Sequence, residues 1–216
     1  MLNDTIIEFD PTPRLYQPAL SLHDRALAAI HIRADGRPDR ILAAAQTWPA
    51  PIDLWLNVPP GALIDPDLPV ELGGMLRHAG LAPERISLEL PEAEALATTH
   101  DGLLRLSALR DIGIGLILTE FGEAIASLTA LRRLPLTALK LSRTLVHGVP
   151  TDPEGTGLVG AAIAAAHVCG LAVIADGIAN LAQSAWLAGQ GCSIGLGPLF
   201  AAPMSARRLD GWLRGT

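Results

Sequence analysis

The sequence predicts an α/β domain, either a (β/α) barrel or a doubly wound parallel sheet. Three observations carry that reading. Short, near-continuous apolar runs alternate with longer helical stretches, as strands covered on both faces do. The core is aliphatic, since 50% of residues are hydrophobic and only 4% aromatic, which suits layered α/β packing. Polar residues recur at the ends of the apolar runs. Six or seven βα units in 216 residues fit one such domain.

In chain order, residues 1–13 carry Pro11 and Pro13 and read as an extended arm, with the domain itself spanning 14–216. Strands are expected at Leu27–Arg33, Ile52–Val58, Ile86–Leu90, Ile114–Leu118, Ala138–Leu141 and Ala172–Ala175, with a weaker one at Ser193–Leu196. Helix signals lie between them. Asp65-Pro66 opens a segment ending near Gly80, an N-cap followed by a proline. Asp152-Pro153-Glu154 opens another that Gly170 closes. Asn180 caps Leu181–Ala188, and Ser205 caps Ala206–Leu213. Gly157–Ala175 holds no charge and is long enough to imitate a membrane span, but His167 and Gly170 divide it into a buried helix, a stop and a strand.

Charge and cysteine usage narrow the function classes. The net charge of −6, without a basic run, argues against a DNA or RNA partner. Cys169 and Cys192 are too few for a disulfide framework and lack metal-ligand spacing. With a polar, acidic start and no membrane segment, a cytoplasmic location is expected.

The polar residues at the strand ends are Arg33, Asn57, Glu89, Thr119, Glu120, Lys140 and Asp176. In a βα barrel these ends converge on one mouth, where active sites are built. Glu89 and Lys140 stand out because each sits inside an apolar run, where burying a lone charge is costly. Trp55 shares the face of Asn57 by the period of two.

At these residues the chain resembles the EAL domain family. Tyr16-Gln17-Pro18 is similar to the family's YQP, and Leu56-Asn57-Val58 to its VNxS segment. Leu88 to Glu92 is similar to its ELTE. The stretch ILTEFGEAIASL, ending at Leu128, resembles ALDDFGTGYSSL. Leu134 to Arg143 resembles LPVDxLKIDR, Ile174 to Ala179 resembles IAEGVE, and Gly191 to Pro203 resembles GCDYxQGYxFxxP. The resemblance implies a modified TIM (β/α)8 barrel with one antiparallel strand. It also implies hydrolysis of cyclic di-GMP with two Mg²⁺ or Mn²⁺ ions and an assisting lysine.

Carried over by position, the pattern departs at several points. The family's EAL tripeptide falls on Ala29-Ile30-His31, its Asp pair on Thr119-Glu120, and the Glu of AEG on Asp176. Ala179, Leu196 and Ser142 replace further polar positions, whereas Asn57, Glu89 and Lys140 match. The resemblance then implies a vestigial catalytic set (Lys140, Glu120, Asp176) and a vestigial metal set (Asn57, Glu89, Glu120, Asp176). The expectation is a catalytically inactive domain with no cofactor.

Two roles remain for such a domain: a cyclic-di-GMP receptor using Gln17, Arg33, Asn57 and Glu89, or a protein-interaction adaptor, dimeric through Gly122–Leu134 as the family commonly is. The alternative is an active metal-dependent phosphodiesterase, or a single-metal site of His31, Glu89, Glu120 and Asp176. Against that last site stands a histidine that only packs or hydrogen-bonds in a partly buried pocket.

Overall fold

The computed structural model describes residues 15–33, 42, 45, 46, 48, 52–58, 61–122 and 128–215, with Arg33 and 128–130 described by backbone alone. Eight strands close into a barrel in sequence order. They are β1 (Leu15–Ser21), β2 (Leu27–Arg33), β3 (Asp53–Asn57), β4 (Ile86–Pro91), β5 (Gly115–Phe121), β6 (Ala138–Leu141), β7 (Ala172–Asp176) and β8 (Ile194–Leu196). β1 runs antiparallel to both of its neighbours, and the other pairings are parallel. The barrel alternative is therefore correct and the open sheet is not.

Because side chains alternate along each strand, the wall separates two apolar cores. Ile30, Leu54, Leu88, Leu116, Leu139 and Val173 face outward into the larger core beneath the helices. Ala19, Ala29, Trp55, Ile117, Ala138, Ile174 and Leu196 fill the interior as a distinct cluster. Several of these interior residues are small, and below them lie Ser87 and Gly115. The end of the barrel opposite the mouth is consequently hollow, with a cavity of about 480 Å³ lined by Asp53, Ser87, Gly115 and Ala138 among others.

Among the described residues the helices with defined bounds are α1 (Leu68–Ala79), α2 (Glu92–Leu96), α3 (His100–Asp111), α4 (Leu128–Arg133), α5 (Arg143–Gly148), α6 (Pro153–Val168), α7 (Leu181–Gly189) and α8 (Ala206–Gly215). The expected caps hold at α6, where the Asp152 carboxylate accepts from Glu154 N and Gly155 N. They hold at α7 as well, where Asn180 and Gln183 form a reciprocal capping box. At α1 the N-cap is Asp67, not Asp65; the Asp65 carboxylate instead accepts from Asp67 N and turns the chain ahead of the helix.

The apolar stretch from Gly157 resolves into α6, a left-handed Gly170 (φ 71°) and β7. Among the described residues no helix is long and apolar enough to cross a membrane. The arm at 1–13 and residues 123–127 of the expected self-association segment lie outside the described residues.

Candidate active site at the barrel mouth

The interior-facing residues at the upper ends of the strands meet at one mouth. Gln17 pairs in register with His31 across β1 and β2, and Asn57 with Glu89 across β3 and β4. Lys140 and Asp176 follow on β6 and β7. The sequence-predicted set is thus assembled by barrel closure, although its members lie up to 159 residues apart from Gln17 to Asp176.

The centre of the mouth is a buried triad. Lys140 Nζ lies 2.6 Å from Glu89 Oε1, and His31 Nε2 lies 2.8 Å from Glu89 Oε2. All three side chains are at most 6% exposed. The Trp55 ring lies beneath, with its centroid 5.9 Å from Lys140 Nζ. Burial pushes the His31 imidazole below its ordinary value, and the Lys140 charge adds to this, with Glu89 opposing. Burial alone would raise the Glu89 carboxyl. The charges and hydrogen bonds of His31 and Lys140 outweigh it and hold that carboxyl well below the usual range. The chemical consequence is that both oxygens of Glu89 are already taken by protein nitrogens.

Around the triad, Gln17 Oε1, His31 Nδ1 and Asp176 Oδ1 are buried without a hydrogen-bond partner in the protein, and His31 Nε2, although 2.8 Å from Glu89 Oε2, meets it as a close ion-pair contact and not as a well-aligned hydrogen bond. The other end of the Gln17 amide donates to Ala201 O at 3.0 Å, tying β1 to the loop after β8. The other oxygen of Asp176 meets Arg143 Nε at 3.1 Å. The Asp176 charge acts on His31, which places the two near one another. Asn57 is open to solvent.

Other members of the predicted set are displaced or occupied. Glu120 is exposed, in a left-handed conformation (φ 58°), and its charge acts on Glu94, whose carboxyl burial raises first and Glu120 raises further. It therefore lies on the rim and not in the triad. Thr119 is buried. Ser142 is used locally, accepting from Leu145 N to cap α5. The Arg33 backbone closes β2, and its side chain lies outside the described residues.

Three contacts went unread in the sequence: His31 to Glu89, Arg143 to Asp176, and Glu92 to Gly122. The last is an N–H···Oε2 bond of 3.2 Å joining the ends of β4 and β5. Of these, only Glu92 carried a signal, as an acid directly after an apolar strand.

The arrangement does not fit a pair of divalent cations as it stands. Among the described residues no group of three His, Cys, Asp or Glu side chains converges to hold a metal ion. The free Asp176 Oδ1 is one open anionic oxygen, and Glu89 offers none.

The sequence profile described as the EAL domain matches residues 38–203. The chain is 32% identical over 154 residues to the cyclic di-GMP phosphodiesterase RocR of Pseudomonas aeruginosa, covering 71% of this chain and 39% of that protein. It is 33% identical over 144 residues to the cyclic di-GMP phosphodiesterase NbdA of the same organism, covering 67% of this chain and 18% of that protein. The chain thus spans well under half the length of these relatives. In fold it is similar to the EAL domain of Mycobacterium smegmatis DcpA, with a TM-score of 0.86 at 23% identity over 97% of this chain and 98% of that one. It is also similar to Klebsiella pneumoniae BlrP1 in its manganese and cyclic di-GMP complex, with a TM-score of 0.81 at 24% identity over 90% of this chain and 56% of that one.

These findings correct two expectations. The sequence reading of a non-enzyme is overturned by relatives named as phosphodiesterases, and that of no cofactor by EAL structures containing manganese or calcium. The physical reason is that the mouth keeps its polar layer despite the single substitutions: Gln17, Asn57, Glu89, Lys140 and Asp176 all stand on strands that the fold brings together.

Proposed function

Because the chain belongs to the EAL domain family, we propose that it recognises cyclic di-GMP at the mouth of its barrel and hydrolyses it as a metal-dependent phosphodiesterase. The observation that carries this reading is the set of unsatisfied polar atoms at that mouth: Gln17 Oε1, His31 Nδ1 and Asp176 Oδ1. Buried polar atoms without partners are costly, and a bound group that supplies those partners removes the cost. With the His31 proton on Nε2, facing Glu89, all three atoms accept hydrogen bonds, which matches the N–H donors on the edge of a guanine base.

The chain's own residues divide the work. Asn57, exposed at the end of β3, meets the ligand first. Arg33 closes β2, where a guanidinium suits a phosphate through paired hydrogen bonds. Glu89, fixed by Lys140 and His31, supplies fixed negative charge at the base of the site. Arg143 orients Asp176 so that its second oxygen remains open. Self-association and a protein partner belong to the same proposal and are read by light scattering of the purified chain.

The test is incubation of the purified chain with cyclic di-GMP and Mn²⁺, separating the linear dinucleotide by chromatography, alongside calorimetric titration. Linear product that disappears in Glu89→Gln supports the reading. Heat of binding without product would restrict the chain to a receptor, and neither heat nor product would refute it.

A further inference from the structure

We propose that His31 competes with divalent cations for Glu89, and that this histidine sets the metal affinity of the mouth. The inference deepens the proposed function and rests on it only for the identity of the metal's purpose. Its basis is geometric. Glu89 is the innermost carboxylate of the mouth, and its two oxygens are held by two different nitrogens at 2.6 and 2.8 Å. One nitrogen, Lys140 Nζ, is enough to balance the carboxylate charge. The second is surplus to that balance, and it occupies the one oxygen that Lys140 leaves free.

A hard divalent cation needs several oxygen ligands, anionic ones above all. At this mouth the open anionic oxygen is Asp176 Oδ1, which lies near His31. A cation bridging Asp176 and Glu89 would have to displace His31 from Oε2. His31 resists displacement because it is 5% exposed and held on β2 between Gln17 and Trp55 in register. Its strand position is also specific. Ala29 and His31 share the interior face, and Ala29 offers no side-chain donor. Histidine thus stands on β2 as its one interior polar group described at this depth, directed at the neighbouring carboxylate and not at solvent.

The experiment uses Mn²⁺ alone, without nucleotide, titrated into the full chain and followed by electron paramagnetic resonance of free Mn²⁺. His31→Leu should bind Mn²⁺ at least about tenfold more tightly than the wild type, the scale on which groups that orient metal ligands act. The gain should vanish in His31→Leu/Glu89→Gln. Equal or weaker binding by a folded His31→Leu variant would overturn the proposal, as would a gain that survives removal of Glu89. Should the leucine variant not fold, the wild type decides. The ¹⁵N resonances of the His31 ring should shift as Mg²⁺ saturates the site, and a ring unmoved by bound Mg²⁺ would sink the idea. The two readings fail separately: a Mn²⁺ gain with no cleavage of cyclic di-GMP refutes the phosphodiesterase function alone.

Discussion

At the scale of single residues, the sequence marked Glu89 and Lys140 as charges inside apolar runs but not as partners. They lie 51 positions apart, and only barrel closure puts them 2.6 Å from each other. A charge embedded in a strand is legible because its burial is costly; its partner is not, because pairing depends on strand order. His31 stands 2.8 Å from Glu89 through Nε2, while its Nδ1 makes no hydrogen bond within the protein. The triad makes a pH prediction. Burial would raise the Glu89 carboxyl, but His31 and Lys140 lower it from 4.5 to about 2. A carboxylate depressed by folding contributes stability that is complete above its unfolded value and is lost as the pH falls through its folded value. As the pH falls from about 5 to below about 2, a contribution on the order of 3 kcal/mol from Glu89 is therefore lost progressively. Urea midpoints measured across that range should fall more steeply for the wild type than for Glu89→Gln. Parallel curves would show that the pair does not stabilise the folded state.

Elements were legible where local rules act alone. The parallel strands read as apolar runs because both faces are covered, and α6 and α7 announced themselves through Asp152 and Asn180. β1 was not read from its residues, since Gln17 and Pro18 break the run and proline cannot complete a ladder. The fold accommodates Pro18 because β1 pairs with β8 only at Leu20 and Ser21, so at Pro18 the long partner is β2 alone. The α7 cap can be tested directly. Asn180→Ala removes the acceptor for Gln183 N at 2.9 Å and breaks the reciprocal box. A loss of about 1 kcal/mol in denaturant unfolding is expected, with Asn180→Ser recovering most of it. No loss would show that α7 is held by packing alone. The Gln183 amide also donates to Val146 O, so the cap fixes α7 against α5 as well as starting it.

For the whole molecule, closure is what creates the site, and β1 is the strand that closes it. β1 reaches β2 along six residue pairs but β8 along only two, and Tyr16 adds a bridge to Met204 after β8. The seam between the first and last strands is therefore the least paired part of the wall. Gln17 reinforces it from inside through its bond to Ala201 O. Deleting the chain through Ser21 would leave the edges of β2 and β8 unpaired, and exposed edges associate with other chains. It would also uncover the interior cluster of Ala29, Trp55 and Leu196. The shortened chain should elute as aggregates in size-exclusion chromatography and lose the near-ultraviolet circular dichroism of its packed tryptophans. Gln17→Ala tests the same seam more gently. It should retain the fold and lose about 1 kcal/mol in urea, as expected for one hydrogen bond. A monomeric shortened chain with native near-ultraviolet signal would mean that seven strands suffice, and that the mouth does not depend on closure by β1.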